Sequence, residues 1–271
     1  MNKYISIILI ALFNIIINFE IPAQYLTPVS KGPLPFEQTD SRINYDIKHI
    51  KSDIPINVKI IESESGGSYH TMDTVWKYIA QNMGLNVGIY AQTLLSDTTF
   101  FNSTDILIIA SGTNNFIDNA QNVIERFLKR GRNVYLQCEY QTTLAHNRAF
   151  TYIVSDLGGT FDWEYTIAGN LAPMNILGSL ASTPNRVSNL NFFWYGTTGM
   201  GDLTIEKFLE YEGYFYGFIF KSPIPDIGLL ITSSDQDWIH LYTDESLKLM
   251  QNILYKMINV TEIRNIESKI P

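Results

Sequence analysis

The sequence contains very little cysteine: Cys138 is the only one in 271 residues. A single thiol cannot form an intramolecular disulfide, so the fold must be held together by an apolar core without covalent cross-links. The sequence also lacks clusters of Lys and Arg and has a net charge of -8. This charge argues against partners such as nucleic acid or anionic lipid. No internal repeat is present, which argues against a solenoid.

Only the N-terminus carries a long apolar run, from Tyr4 to Phe19, between Lys3 and the small residue Ala23. This order predicts a secretory signal peptide over residues 1–23 that is cleaved after Ala23. A membrane anchor is the alternative, but the run is shorter than the ~20 apolar residues that a span needs. No stable membrane span is expected after cleavage. Residues 24–55 mix Pro, Ser and charge, and are interpreted as an extended lead-in segment.

Strand-like and helix-like segments alternate from residue 56 to residue 160. VKII at 58–61, NVGIY at 86–90, the apolar run at 106–110 and NVYLQC at 133–138 predict strands, and the unbroken run at 106–110 is typical of a buried parallel strand. Segments with helical spacing lie between them, one of them beginning after Thr71. The alternation predicts an α/β, doubly wound, flavodoxin-like and mostly parallel sheet over residues 56–258.

Residues 160–225 interrupt this alternation. They are rich in aromatic and β-forming residues, as in NFFWYG and GYFYGFIF, and predict an antiparallel β-rich insertion or an extension of the sheet. A strand at 227–234 and a helix follow, with Thr243, Asp244 and Glu245 at the start of the helix. The polar tail, residues 259–271, is interpreted as a linker.

The order of GGSYHTMDTVWKYIAQNMGLNV, FFNSTDILIIASG and VIERFLKRGRNVYLQ resembles the class I glutamine amidotransferase-like superfamily, and within it the ThuA-like domains. The resemblance covers about residues 56–160 and 226–258. It implies a flavodoxin-like fold with functional residues at the carboxyl ends of the strands. The tail NVTEIRNIESKIP resembles the segment that precedes a type IX secretion sorting domain. The sorting domain itself is absent from this sequence, and the resemblance implies delivery to the cell surface or the medium.

Cys138 lies where this superfamily places its nucleophile. A catalytic thiol there needs a tight turn with small neighbours, yet Gln137 precedes it and Glu139 and Tyr140 follow it. The negative charge of Glu139 disfavours a thiolate. His240 stands where the family's histidine is expected, but Tyr242 replaces the acid two residues beyond it. The surroundings therefore favour a packing role for Cys138, and a nucleophile paired with His240 or His70 remains the alternative.

Three segments are expected to meet at the carboxyl edge of the sheet, where ligands of such folds bind. They are the loop that contains Gly66, Gly67 and His70, the Ser111–Gly112 turn, and the Cys138–Glu139 segment. The first loop can hold an anion or a sugar hydroxyl, or can be a plain glycine turn. Trp194 and Trp238 are candidate stacking platforms for carbohydrate, although aromatic residues in β-rich segments more commonly fill the core.

No cofactor or metal site is expected. The candidate ligands His70, Glu139, His146, Asp235, Asp237 and His240 lack a recognised metal-binding spacing. The sequence thus predicts an exported, non-catalytic binding or accessory domain whose partner is a glycan or another cell-surface component. The alternatives are a cysteine-dependent amidase or hydrolase and a structural module of a larger surface protein.

Export makes a direct prediction about the mature protein. Protein recovered from the medium or the cell surface of an expressing host is expected to begin at Gln24, which N-terminal sequencing would determine. Recovery of the chain in the membrane fraction with residues 1–23 still attached would contradict the signal-peptide assignment.

Overall fold

The computed structural model describes residue 48 and residues 55–63, 71–97, 99–113, 116, 119–169 and 171–267. Residues 1–23, the predicted signal peptide, lie outside the described residues. So does the lead-in segment, apart from Lys48 and Pro55. None of the described helices is long and apolar enough to cross a membrane.

Five parallel strands form the centre of the main sheet. They are β1 (Asn57–Ile61), β2 (Asn86–Tyr90), β3 (Ile106–Ile109), β4 (Asn133–Leu136) and β11 (Leu230–Ser233). Their order is β2-β1-β3-β4-β11, with every neighbouring pair parallel. This is the flavodoxin-like order. β3, β4 and β11 are buried along their whole length, as expected for strands covered on both faces. The predicted fold class is confirmed.

The segments with helical spacing form helices beside this sheet. The helices are α1 (Met72–Asn82), α2 (Ala120–Lys129), α3 (Ala145–Asp156), the short α4 (Asp237–His240) and α5 (Asp244–Glu267). Two 3₁₀ turns span Gln92–Ser96 and Gly178–Ala181. Thr71 precedes α1, but its side chain does not cap the helix. At α5, the Thr243 and Ser246 side chains each accept the other's main-chain N–H. α5 continues to Glu267, so most of the predicted linker is helical, while its linker role stays a prediction.

The insertion at 160–225 extends the sheet with antiparallel strands. It contains β5 (Phe161–Ala168), β6 (Met174–Ile176), β7 (Asn189–Leu190), β8 (Tyr195–Gly201), β9 (Ile205–Tyr211) and β10 (Tyr214–Phe220). The order β11-β10-β9-β6-β7 completes a sheet that has nine strands within the described residues. β5 and β8 pair separately. Rings of Phe161 and Trp163 on β5 lie 4.8 Å and 5.6 Å from the ring of Phe218 on β10, so the small sheet packs against the large one.

Candidate functional site at the carboxyl edge

The carboxyl ends of β3, β4 and β11 meet at one edge of the sheet because these strands are parallel. Ser111 and Gly112 follow β3, Cys138 and Glu139 follow β4, and Gln236 follows β11. All five residues are buried. The structure therefore brings together the two predicted pairs, Ser111–Gly112 and Cys138–Glu139, but encloses both of them.

Gly112 packs directly against the segment that follows β4. A Cβ atom at Gly112 would lie 2.6 Å from Glu139 Cγ and 2.8 Å from the carbonyl carbon of Cys138. Both distances are shorter than real Cβ contacts, so a side chain at this position would force the two segments apart. Glycine is required here for close approach, and these two segments leave no room for a ligand between them.

Gln236 links the three strand ends through hydrogen bonds. Its Oε1 accepts from Ser111 Oγ at 3.0 Å and from the Gly112 N–H at 3.2 Å. Its own main-chain N–H donates to Glu139 Oε1 at 2.8 Å. The polar groups that would face a ligand in an open site are thus engaged with one another.

Cys138 is a core residue in this arrangement. Its side chain is fully buried among apolar residues of β3, β4 and α3, and its main-chain N–H donates to Ser233 O at 3.0 Å. Burial raises the pKa of the thiol well above its usual value, and Glu139 raises it further, although a hydrogen bond from Thr232 opposes the shift. A protonated, enclosed thiol is a poor nucleophile. These contacts support the packing interpretation of Cys138 over the catalytic one.

Two carboxyl groups, those of Glu139 and Asp235, are buried at this edge. Glu139 accepts the N–H groups of Gln236 and Tyr140, and Asp235 accepts those of Trp194 at 2.7 Å and Asp237 at 2.8 Å. Burial raises the pKa of Glu139 well above its usual range, and the charges of Asp235 and Asp237 add to this. Burial, and then Asp237, raise the pKa of Asp235 in the same way.

Residues of α3 and β8 form hydrogen bonds with the main chain of Glu139. Asn147 of α3 accepts the Glu139 N–H at 3.0 Å and donates to the Glu139 carbonyl at 2.9 Å. Thr197 of β8 donates to the same carbonyl at 3.1 Å. The insertion therefore contacts the carboxyl edge directly.

The two described histidines at this edge have structural contacts. His240 on α4 is partly buried, and its Nδ1 lies 3.3 Å from Thr71 Oγ1. Burial lowers the pKa of His240, while Asp237 opposes the shift. His146 on α3 is buried, and its Nδ1–H donates to the Gln137 carbonyl at 3.0 Å. Thr232 thus contacts the thiol of Cys138, and Thr71 contacts the imidazole of His240.

The predicted loop with Gly66, Gly67 and His70 lies outside the described residues. In the described part of the chain, no group of three or more His, Cys, Asp or Glu side chains is arranged to hold a metal ion. Glu139, His146, Asp235, Asp237 and His240 therefore form no such group.

The two candidate tryptophans have opposite environments. Trp238 on α4 is 0% exposed, and its Nε1–H donates to Ser233 Oγ at 3.0 Å. Its assignment to a ligand surface was wrong, because α4 folds back over the end of β11 and turns the indole into the core. Trp194, immediately before β8, is partly exposed.

Trp194 is one of four neighbouring, partly exposed aromatic side chains. We name this group the aromatic ledge: Tyr140, Phe192, Trp194 and Tyr195. Phe192 and Trp194 are stacked at 6.3 Å with an interplanar angle of 7°. Trp194 and Tyr195 are 6.2 Å apart, and Tyr195 and Tyr140 are 5.8 Å apart. The ledge therefore runs from the end of β4 to the start of β8, beside the buried carboxyl groups.

Sequence reasoning did not single out Gln236, Asn147 or Tyr140 as residues of the site. The position of Gln236 directly after the β11 segment was a usable signal, because residues at carboxyl strand ends meet. Asn147 and Tyr140 carried no comparable signal, since their roles depend on how α3 and β8 approach the end of β4.

Comparisons with known proteins identify the fold only. No protein-family model matches the sequence, and no curated protein is significantly similar to it. Among solved structures, the N-terminal domain of mmIFT52 is 10% identical over 74% of this chain and 97% of its own, with a TM-score of 0.55. The cytoplasmic protein STM1381 from Salmonella typhimurium LT2 is 12% identical over 74% of this chain and 98% of its own, with a TM-score of 0.54.

A ThuA-like protein from Bacteroides uniformis ATCC 8492 is also among the matched structures. It is 11% identical over 75% of this chain and 92% of its own, with a TM-score of 0.46. The strand order, rather than this similarity, shows the doubly wound fold that the glutamine amidotransferase-like resemblance implied. The two structures with TM-scores above 0.5 share the fold of this chain, and at these identities they carry no information about activity.

The free energy of unfolding of the wild type is expected to decrease as pH rises, and Glu139→Gln is expected to make this decrease smaller. Because the folded-state pKa of Glu139 is raised, the folded protein binds more protons than the unfolded chain above the ordinary carboxyl pKa of about 4.3. The resulting stabilisation is complete below that value and is lost as pH rises through the raised pKa.

Urea unfolding between about pH 5 and about pH 8 tests this expectation. The free energy of unfolding of the wild type should decrease more steeply with pH than that of Glu139→Gln. Asp162→Asn, at an exposed position of β5, should behave as the wild type does. Parallel curves for wild type and Glu139→Gln would show that Glu139 does not carry the pH dependence.

Proposed function

We propose that this chain is a catalytically silent binding or accessory module with a glutamine amidotransferase-like fold, and that it recognises a saccharide. One observation carries the proposal: the position of the family's nucleophile is enclosed. Cys138 is fully buried with a raised pKa, and Gly112 packs against its main chain. A thiol that attacks a substrate must be exposed and ionised, and this one is neither.

The aromatic ledge supports saccharide binding rather than another kind of recognition. Its four rings are partly exposed, and successive rings along it lie 5.8 Å to 6.3 Å apart. Flat apolar rings pack well against the C–H faces of sugars, and Tyr and Trp also have a polar atom for hydroxyl groups. The ledge is held in place at both ends. Asp235 accepts the main-chain N–H of Trp194, and Thr197 donates to the carbonyl of Glu139, the residue before Tyr140.

Delivery to the cell surface or the medium is part of the same proposal. It is supported by the predicted signal peptide at 1–23 and by the resemblance of the tail to the segment before a type IX sorting domain. An exported module with a fixed aromatic surface and no activated nucleophile is suited to holding a carbohydrate near a partner or a surface.

Trp194→Ala is expected to weaken saccharide binding. Loss of a stacking ring at the centre of a small binding surface typically costs about 1–2 kcal/mol, or roughly tenfold or more in Kd. The measurement is a glycan array with the mature protein, followed by titration calorimetry on the best ligand.

Tyr152→Ala provides the matched control, because Tyr152 is an aromatic residue of α3 that is 55% exposed and lies outside the ledge. It should bind as tightly as the wild type. An array without binders, or equal losses in the two variants, would refute the role of the ledge. Turnover of an amide or ester that disappears in Cys138→Ala would refute the silent character of the thiol.

A further inference from the structure

Three carboxamide side chains are buried together between α5 and the segment 178–185 of the insertion. We name Asn185, Gln251 and Asn252 the carboxamide cluster. Their exposures are 5%, 0% and 0%, respectively. Gln251 and Asn252 lie on α5 among buried apolar residues such as Met250 and Ile253. Burying a carboxamide costs free energy unless its donors and acceptors are paired. The partners of the cluster therefore show what this face of α5 is built to hold.

Asn252 binds the main chain of the insertion. Its Oδ1 accepts the Asn185 N–H at 2.9 Å, and its Nδ2 donates to the Asn185 carbonyl at 2.9 Å and to the Leu180 carbonyl at 2.7 Å. Asn252 thus attaches the segment 178–185 to the middle of α5. Its neighbour Gln251 makes a different set of contacts.

Gln251 binds the lead-in segment. Its Oε1 accepts Asn185 Nδ2 at 2.5 Å, and its Nε2 donates to the main-chain carbonyl of Lys48 at 2.9 Å. The Lys48 ammonium group donates to the carbonyl of Pro184. Because Lys48 is exposed, water competes for its ammonium group, and the hydrogen bond from the buried Gln251 is the main contact. Lys48 therefore lies against both α5 and the insertion.

The sequence around Lys48 suits a segment that lies on a surface. RINYDIK at 42–48 alternates polar and apolar residues, the pattern of an extended chain with one apolar side. Only residues 49–56 separate Lys48 from the start of β1. Attachment of the segment thus closes a short loop, for which the entropic cost is small.

From these observations we infer that α5 and the segment 178–185 form a docking surface for an extended peptide, and that its occupant is the lead-in segment of the same chain around Lys48. The carboxamide cluster recognises the occupant through a main-chain carbonyl, as extended peptides are commonly recognised. The folded domain then includes Lys48, upstream of the expected start at residue 56, and one segment connects the C-terminal helix with the insertion. This inference is independent of saccharide binding.

Trypsin cleavage after Lys48 in the mature protein tests the inference. The protease must bind the Lys48 ammonium group and attack the Lys48 carbonyl, and both groups are bound within the fold. Mass spectrometry measures the rate at which this bond is cut. Cleavage should be at least about tenfold slower than in a synthetic peptide of residues 41–55, because the segment must first leave the surface.

Two variants of α5 identify the contact that protects Lys48. Gln251→Met keeps the side chain's size but removes the donor, and should speed cleavage after Lys48 about fivefold, the effect of losing one hydrogen bond. Lys256→Met is the matched control, since Lys256 binds Ser179 and Glu206 of the insertion. It should leave the rate unchanged. Cleavage after Lys207, within β9, reports unfolding of the sheet and should not rise in parallel.

Each outcome decides for or against the inference. Slow cleavage after Lys48 in the wild type, with a selective increase in Gln251→Met, supports it. Cleavage of the wild type at the rate of the peptide, or equal rates in the wild type and a folded Gln251→Met, overturns it. Protection that disappears on dilution places the segment on a second copy and overturns the assignment to the same chain. If Gln251→Met does not fold, the comparison of the wild type with the peptide decides.

Discussion

The close contact between Gly112 and the main chain of Cys138 closes the space between the segments that follow β3 and β4. In a doubly wound sheet ligands bind at this edge, and in the present strand order the switch point lies between β1 and β3. Here a glycine without a Cβ atom lets the two segments touch, and Gln236 ties both to the end of β11. The thiol, the hydroxyl of Ser111 and the carboxyl of Glu139 then become parts of the interior.

Most of the partly exposed rings near this edge belong to the insertion. β8 covers the end of β4, and the segment before it brings Phe192, Trp194 and Tyr195 to the side of Tyr140. The carboxyl groups that would have faced a substrate now support these rings from behind. If the proposed function holds, the same fold presents a recognition surface here without a change in the order of its parallel strands.

Much of the fold was readable from the sequence, because the central strands are unbroken apolar runs and the helices between them have a clear apolar face. The convergence of Ser111–Gly112 with Cys138–Glu139 followed from strand direction alone. Burial could not be predicted in the same way. Trp194 and Trp238 both follow strands or loops near the edge, but only the path of α4 over β11 puts Trp238 in the core. The pairing of β10 with β11 and of β5 with β8 joins distant segments, and local sequence does not encode such pairings.

The central claim is that the thiol at the nucleophile position is sealed inside the protein. The rate of iodoacetamide labelling of Cys138 measures this directly, in the folded mature protein across pH and in the same protein unfolded by urea. We expect labelling that is slow in the folded protein and becomes fast only on unfolding, because the thiol is enclosed and its pKa is raised. Rapid labelling of the folded protein with a midpoint well below about 8.5, the value of a free thiol, would contradict it and restore a catalytic role for Cys138.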